Sequence, residues 1–147
     1  MTKSDSAPDL EQRRAFLDDL VKRRGFVRPS HKLLVEYDID TMRAMDALAN
    51  TVYLKQRRLD RKTKELIFIT SMVCLRLPKS YVQTHIKVAL EHGVSREEIL
   101  EAIELVIPEA GFPAFTEGLS AWAEAVGAKG IEPSQQAYEE GQVRSSS

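Results

Sequence analysis

Cysteine occurs once in this chain, at Cys74, and histidine three times, at His31, His85 and His92. One thiol cannot build an internal disulfide framework or a CxxC redox pair, and these few donors are a poor set for a structural zinc site. Long apolar runs are missing too: none approaches the roughly 18–20 residues that span a bilayer. The polar start Met1–Pro8 lacks the apolar stretch of a signal peptide, so a cytoplasmic protein without a membrane partner is the expectation. Aromatic residues do not interleave with the basic ones, and no reading motif accompanies them, so nucleic acid is not an expected partner either.

What is present is ordinary in amount and uneven in placement. The 147 residues are 43% hydrophobic and 29% charged, which suits one soluble domain. A net charge of −1 divides into about +5 over Met1–Lys64 and −6 from Glu65 onward. The densest basic run is Lys55, Arg57, Arg58, Arg61, Lys62 and Lys64. Such a run is either a solvated segment paired with the acidic half, within or between subunits, or a positive rim that attracts a carboxylate-bearing substrate.

Helical periodicity governs nearly the whole chain, and no alternating strand pattern interrupts it. A first helix is expected over about 9–24, with Leu10, Phe16, Leu17, Leu20 and Val21 as its apolar stripe and Gly25 as its stop. Pro29 precedes a short helix to Tyr37, and another starts near Asp38 or Asp40 and carries Met42, Met45, Leu48, Ala49 and Val52. Asp60 reads as the N-cap of a strongly apolar helix that Pro78 blocks. A helix from about Pro78–Ser80 ends at Gly93, and Ser95-Arg96-Glu97-Glu98 has the form of a capping box for the next, which Pro108 is expected to end. Gly111-Phe112-Pro113 is a turn into a last helix that runs to about Val126. The expected fold is an all-α bundle of six to seven helices: one domain over 9–130, with loose ends at 1–8 and 131–147.

Chemistry has few places to sit. His85 is mid-helix at the edge of an apolar face, with Tyr81 one turn before it; a structural histidine fits that position as well as a functional one. His92 ends the same helix, where a cation favours the dipole. His31 follows Pro29-Ser30 with no evident partner. Glu65 has Phe68, Ile69 and Met72 on its side of a helix, so its carboxylate is either desolvated, with a raised pKa suited to proton transfer, or paired with Arg61 on a solvated edge. Glu109 lies between Pro108 and Gly111, in a bend of the kind that often lines sites. Cys74, within Met72-Val73-Cys74-Leu75, reads as a small core residue.

Three stretches in order resemble the carboxymuconolactone decarboxylase family, which includes the alkyl hydroperoxidase D-like proteins. They are Leu59-Asp60-Arg61-Lys62-Thr63-Lys64-Glu65-Leu66-Ile67, then His85 through Ile99 with Ala89, Gly93-Val94-Ser95 and Glu97-Glu98 at the family's positions, then Ala110-Gly111-Phe112-Pro113-Ala114. Together they span the motif region 59–126. The resemblance implies that His85 is the principal histidine and that Glu65 is a proton-relay glutamate, here one residue further from the histidine than is usual. Departures are equally informative. Lys79 and Val82 occupy the places where hydroperoxidase-type members carry CxxC, so dithiol peroxide reduction is not expected. Tyr81 stands where the decarboxylases carry a glutamate, and Glu109 where their bend is aromatic.

The resemblance thus implies a cofactor-free, metal-free lyase that moves protons on a small carboxylated lactone or enolisable acid. His85 and Glu65 are its catalytic candidates; Tyr81, Arg61, Glu109 and His92 are its substrate-binding candidates. A non-redox binding protein on the same fold is the alternative, and a peroxidase working through Cys74 is the third reading. Family members assemble as trimers or hexamers, so a homo-oligomer is expected.

Overall fold

The computed structural model describes residues 7–137, and seven α-helices of nine or more residues, together with one π-helical turn, account for most of them. No strand occurs among the described residues, as the unbroken helical periodicity predicts. Of the ends expected to be loose, residues 1–6 and 138–147 lie outside the described residues. No helix among the described residues is long and apolar enough to cross a membrane.

Helix α1 (Ala7–Arg24) closes on Lys22, Arg23 and Arg24, cations that suit the negative end of a helix dipole. Gly25 then takes φ +82°, the left-handed conformation that lets the chain reverse without a Cβ clash. The reversal leads through Phe26 and Arg28 into α2 (Pro29–Tyr37), whose opening proline gives up an N–H that would have had no helical partner. Asp38 caps α3 (Ile39–Ala49) by accepting from the Thr41 amide at 3.0 Å. These three helices share a small core of Leu20, Val35 and Met42, with Phe16, Leu17, Val27, Leu34 and Ile39 around it. Asp46, buried on α3, receives Arg23 at 2.8 Å and Arg24 at 2.5 Å and so ties α3 to the end of α1. The expected stripes are narrower than the periodicity suggested: Leu10, Val21, Met45 and Leu48 are exposed.

After α3 the chain widens into the π-helical turn Asn50–Leu54, which buries Tyr53 while Val52 stays exposed. Asp60 caps α4 (Arg61–Cys74) at the Thr63 amide, 2.8 Å away. Helix α5 (Lys79–Glu91) follows Pro78, and the Ser95/Glu98 capping box opens α6 (Arg96–Glu104) with bonds of 3.1 and 2.7 Å. Helices α4 to α7 enclose the main core, which includes Ile69, Val73, Ile86, Ile99, Ile103 and Val106. Each such side chain contributes about 1.5–3 kcal/mol on full burial. Cys74 packs against the edge of this core.

One boundary differs from expectation. Pro108 does not end α6, which stops at Glu104; it sits in the first turn of α7 (Val106–Val126), where a missing N–H breaks no helical bond. The break falls instead at Gly111, with φ +81° and ψ 171°, and Pro113 enters the long final segment. Trp122 on that segment donates to the Arg96 carbonyl at 2.9 Å, fixing α7 against the start of α6.

Candidate functional site

Glu65 is the first of the buried residues on α4, ahead of Ile69 and Val73, and α5 packs against α4 there, so a fully buried carboxylate faces a histidine. Its Oε2 lies 2.8 Å from Nδ1 of His85. Its Oε1 accepts from Arg61 Nε at 2.6 Å and from the Tyr53 hydroxyl, and Arg61 Nη2 donates to that hydroxyl oxygen at 2.6 Å. The Arg61 guanidinium also lies over the Tyr53 ring, 4.0 Å from its centre. Three donors thus occupy three of the carboxylate's roughly four acceptor directions, the compensation a buried charge requires.

The electrostatics follow from these partners. Burial pushes the Glu65 carboxyl up, but hydrogen bonds from His85, Tyr53 and Arg61 together outweigh it and hold the group below the usual carboxylate value. Of the two expectations for Glu65, each holds in part: the carboxylate is desolvated and is also paired with Arg61. The added bonds from Tyr53 and His85, which the sequence does not place beside it, make its pKa fall rather than rise. Burial, with the hydrogen bond to Glu65 next, pushes the Tyr53 phenol well above its ordinary value, so it is a neutral donor. An ionised Glu65 can only accept, and so the Nδ1 proton stays on His85 whatever the ring's charge.

The other edge of His85 meets a cavity of about 210 Å³, lined by Arg24, Phe26, Arg28, His31, Ala49, Val52, Tyr53, Phe68 and His85. Among the described residues Nε2 of His85 has no hydrogen-bond partner. Three aromatic rings surround the imidazole, with centre-to-centre distances of 5.3 Å for Phe68, 5.8 Å for Phe26 and 5.9 Å for Tyr53. Across the cavity, the N–H of Arg28 points to Nδ1 of His31 at 3.3 Å. Burial, aided by Arg24 and Arg28, holds His31 below the ordinary histidine value and so neutral near pH 7, with its proton on Nε2. Among the described residues no three His, Cys, Asp or Glu side chains converge with metal-ligand spacing.

The sequence-derived candidates separate into two groups. His85, Glu65 and Arg61 come together, although Arg61 is engaged by Glu65 and Tyr53 and does not line the cavity. Tyr81 lies outside the lining, with its ring beneath Arg28 at 3.8 Å. His92 is exposed at the end of α5, and Glu109 is exposed on the first turn of α7; neither approaches the cavity lining. Half of the basic run, Arg61, Lys62 and Lys64, is engaged in the fold. Lys62 donates to the Gly93 carbonyl at 2.9 Å and Lys64 to the carbonyls of Tyr53 and Lys55 at 3.0 and 2.9 Å, while Arg57 and Arg58 line an open surface depression next to Val52. Sequence reasoning missed Tyr53, Arg24, Phe26 and Arg28, and gave His31 no partner. Only the Gly25 reversal hinted that these residues turn back toward α5.

The comparisons agree with this architecture. The sequence profile of the Carboxymuconolactone decarboxylase family matches residues 40–124. A protein from Burkholderia xenovorans, provisionally assigned as a carboxymuconolactone decarboxylase, has a solved structure with TM-score 0.68 and 25% identity, covering 81% of this chain and 90% of its own. An apo carboxymuconolactone decarboxylase family protein from Legionella pneumophila shares the fold with TM-score 0.55 and 23% identity, covering 84% of this chain and 100% of its own. A search of curated protein sequences finds no match. With more than half of its length matched, and a helical frame shared with both solved proteins, the chain belongs to the carboxymuconolactone decarboxylase family.

Proposed function

We propose that the cavity moves protons at carbon on a small, carboxylate-bearing, enolisable compound, as a cofactor-independent lyase of the decarboxylase type. The observation that carries this reading is the 2.8 Å contact between Glu65 and Nδ1 of His85, with the same imidazole lining the cavity. A carboxylate that fixes the Nδ1 proton leaves Nε2 as the atom that gives or takes a proton, and the charged ring formed on protonation is stabilised by the same carboxylate. Family membership supports the reaction class.

In the decarboxylation direction, the carbon–carbon bond to the leaving carboxylate breaks and its electron pair enters a conjugated carbonyl. Carbon dioxide departs, and Nε2–H of the protonated His85 delivers its proton to carbon. Solvent then restores the proton on the ring. The Tyr53 hydroxyl and Arg61 act through Glu65: they hold its carboxylate ionised and in place, and Arg61 does so without lining the cavity. The rings of Phe26, Tyr53 and Phe68 suit a flat, conjugated molecule, and a cavity of about 210 Å³ suits a small one. Dithiol peroxide reduction has no place in this reading, since Cys74 packs at the core edge at the far end of α4.

The test is to supply carboxymuconolactone and related β-keto and enol-lactone acids and follow the loss of ultraviolet absorbance. The expected result is turnover that falls by two to four orders of magnitude in His85→Ala. Turnover indifferent to that substitution removes His85 from the reaction. A thiol-coupled peroxidase activity that Cys74→Ser abolishes would replace the reading altogether.

A further inference from the structure

The wall of the cavity that faces His85 is built from the segment joining α1 to α2, and this segment precedes the residues 40–124 shared with the family profile. It brings two guanidinium groups and a neutral imidazole to one small space. Arg24 is 8% exposed; its Nη2 binds Asp46, while its Nε is buried with no hydrogen-bond partner. A buried donor left unpaired is costly, and it commonly marks a side chain shaped for a ligand.

Arg28 is the more telling group. Among the described residues no carboxylate approaches it; its guanidinium lies instead against the rings of Tyr81, at 3.8 Å, and Phe26, at 5.2 Å. Stacking uses the faces of a guanidinium, and the in-plane N–H donors that the Tyr81 hydroxyl does not engage are left for an anion. Its setting penalises the charge, since burial lowers its pKa. Beside it, His31 accepts through Nδ1 and so presents Nε2–H, a third donor lining the same cavity. Phe26 lies between the two histidines, near-parallel to His31 at 6.5 Å and edge-on to His85 at 5.8 Å.

We propose that Arg28, with Arg24 and the His31 Nε2–H, forms a carboxylate-binding subsite that holds a small flat acid in the cavity alongside the Phe26 ring, within reach of His85. This deepens the function proposed above and rests on it only for the reaction; the subsite itself is a binding claim. It moves the anion-holding role from Arg61, which Glu65 and Tyr53 occupy, to the N-terminal wall. Specificity would then reside in the segment 24–31 that the family profile does not cover.

The experiment is calorimetric titration of the full chain with benzoate and with its neutral isostere benzamide, paired with NMR of the side chains in the unsubstituted protein. Benzoate is expected to bind at least tenfold more tightly than benzamide and to shift the signals of Arg28 Nε and the His31 ring. Arg28→Gln is expected to weaken benzoate at least tenfold and leave benzamide unchanged, with partial recovery in Arg28→Lys. His85→Gln is expected to keep benzoate binding within threefold while abolishing turnover, so loss of the reaction and loss of the subsite read out separately. Benzoate that binds no better than benzamide, or that shifts neither Arg28 nor His31, overturns the proposal. So does unchanged benzoate affinity in a folded Arg28→Gln protein.

Discussion

Glu65 on α4 and His85 on α5 meet at 2.8 Å although twenty residues separate them, and both are buried, at 0% and 5% exposure. The contact needs both helices at one fixed crossing, because a carboxylate and an imidazole satisfy each other only over a narrow range of distance and angle. Tyr53, from the π-helical turn, and Arg61, one turn before Glu65, brace the carboxylate from the other side. The site is thus a junction of three segments whose geometry holds one proton on one ring nitrogen.

Replacing Glu65 with Gln tests that junction directly. The amide keeps the shape but loses the charge that Arg61 and His85 face, and breaking one partner of a buried ionic network costs about 3–5 kcal/mol. Its NH₂ can also donate to Nδ1, so the ring should change from one tautomer to a mixture. Nitrogen-15 shifts of the His85 ring report this: Nδ1 is expected to carry its proton throughout in the parent protein and only part of the time in Glu65→Gln. Tyr53→Phe keeps the tautomer and costs about 1–3 kcal/mol in urea unfolding, the penalty for one lost buried bond. Identical ring shifts in the parent protein and Glu65→Gln would mean that Glu65 does not set the tautomer.

His31 supplies a pH dependence of opposite origin. Burial, Arg24 and Arg28 lower its folded-state value, and Asp46 only partly opposes them. In the unfolded chain the ring takes its proton near the ordinary value of about 6.5. The unfolded state therefore binds more protons as pH falls past that value, and folding stability declines from about pH 7 toward the lower folded-state value. Urea unfolding at pH 7.5 and at pH 5.5 should show a larger loss for the parent protein than for His31→Gln. Equal losses would mean that His31 is free to protonate in the folded state.

The fold was readable because its signals are local. Asp60, the Ser95/Glu98 box, Gly25 and Pro113 act on backbone groups within a few residues, and the structure finds each where its chemistry requires. Pro108 misled for the same local reason, since a proline stops a preceding helix or opens a following one with equal ease. The candidate site was half readable. His85 and Glu65 stand out as polar residues on apolar stripes, but the ionisation of Glu65 depends on Tyr53, which a widened helical turn brings inward with no mark in the periodicity. Arg24, Arg28 and His31 reach the cavity through a reversal between helices, and their nearest sequence neighbours carry no sign of His85.

Gly118 on α7 packs tightly against Val73 of α4 and Ile103 of α6. A Cβ there would lie 2.7 and 2.9 Å from the two methyl groups of Val73, inside any tolerable contact, and 3.0 Å from Ile103, which would also have to give. Overpacking of this kind costs about 1–3 kcal/mol, against which alanine's helix propensity returns about 1 kcal/mol. Gly118→Ala is expected to be net destabilising in urea unfolding. Trimming Val73 to Ala should cost less in that background than in the parent protein, because it opens the space the new methyl needs. Additive costs would place the strain elsewhere.

Assembly is the last expectation, and it rests on surface that a lone subunit leaves open. Leu75 at the end of α4, Leu105 between α6 and α7, and Phe112 beside the Gly111 break are 72%, 64% and 68% exposed. Large apolar side chains held in water on a small chain favour burial between copies, and closed rings are the usual way homo-oligomers satisfy such surfaces. Sedimentation equilibrium at micromolar concentration is expected to give three or six times the 16.6 kDa chain mass. Leu105→Glu and Phe112→Glu should move the mass toward that of one chain while leaving the helical circular dichroism intact, since both side chains are outside the core. A single-chain mass for the unsubstituted protein would instead leave the 24–31 wall and the His85 cavity complete within one subunit.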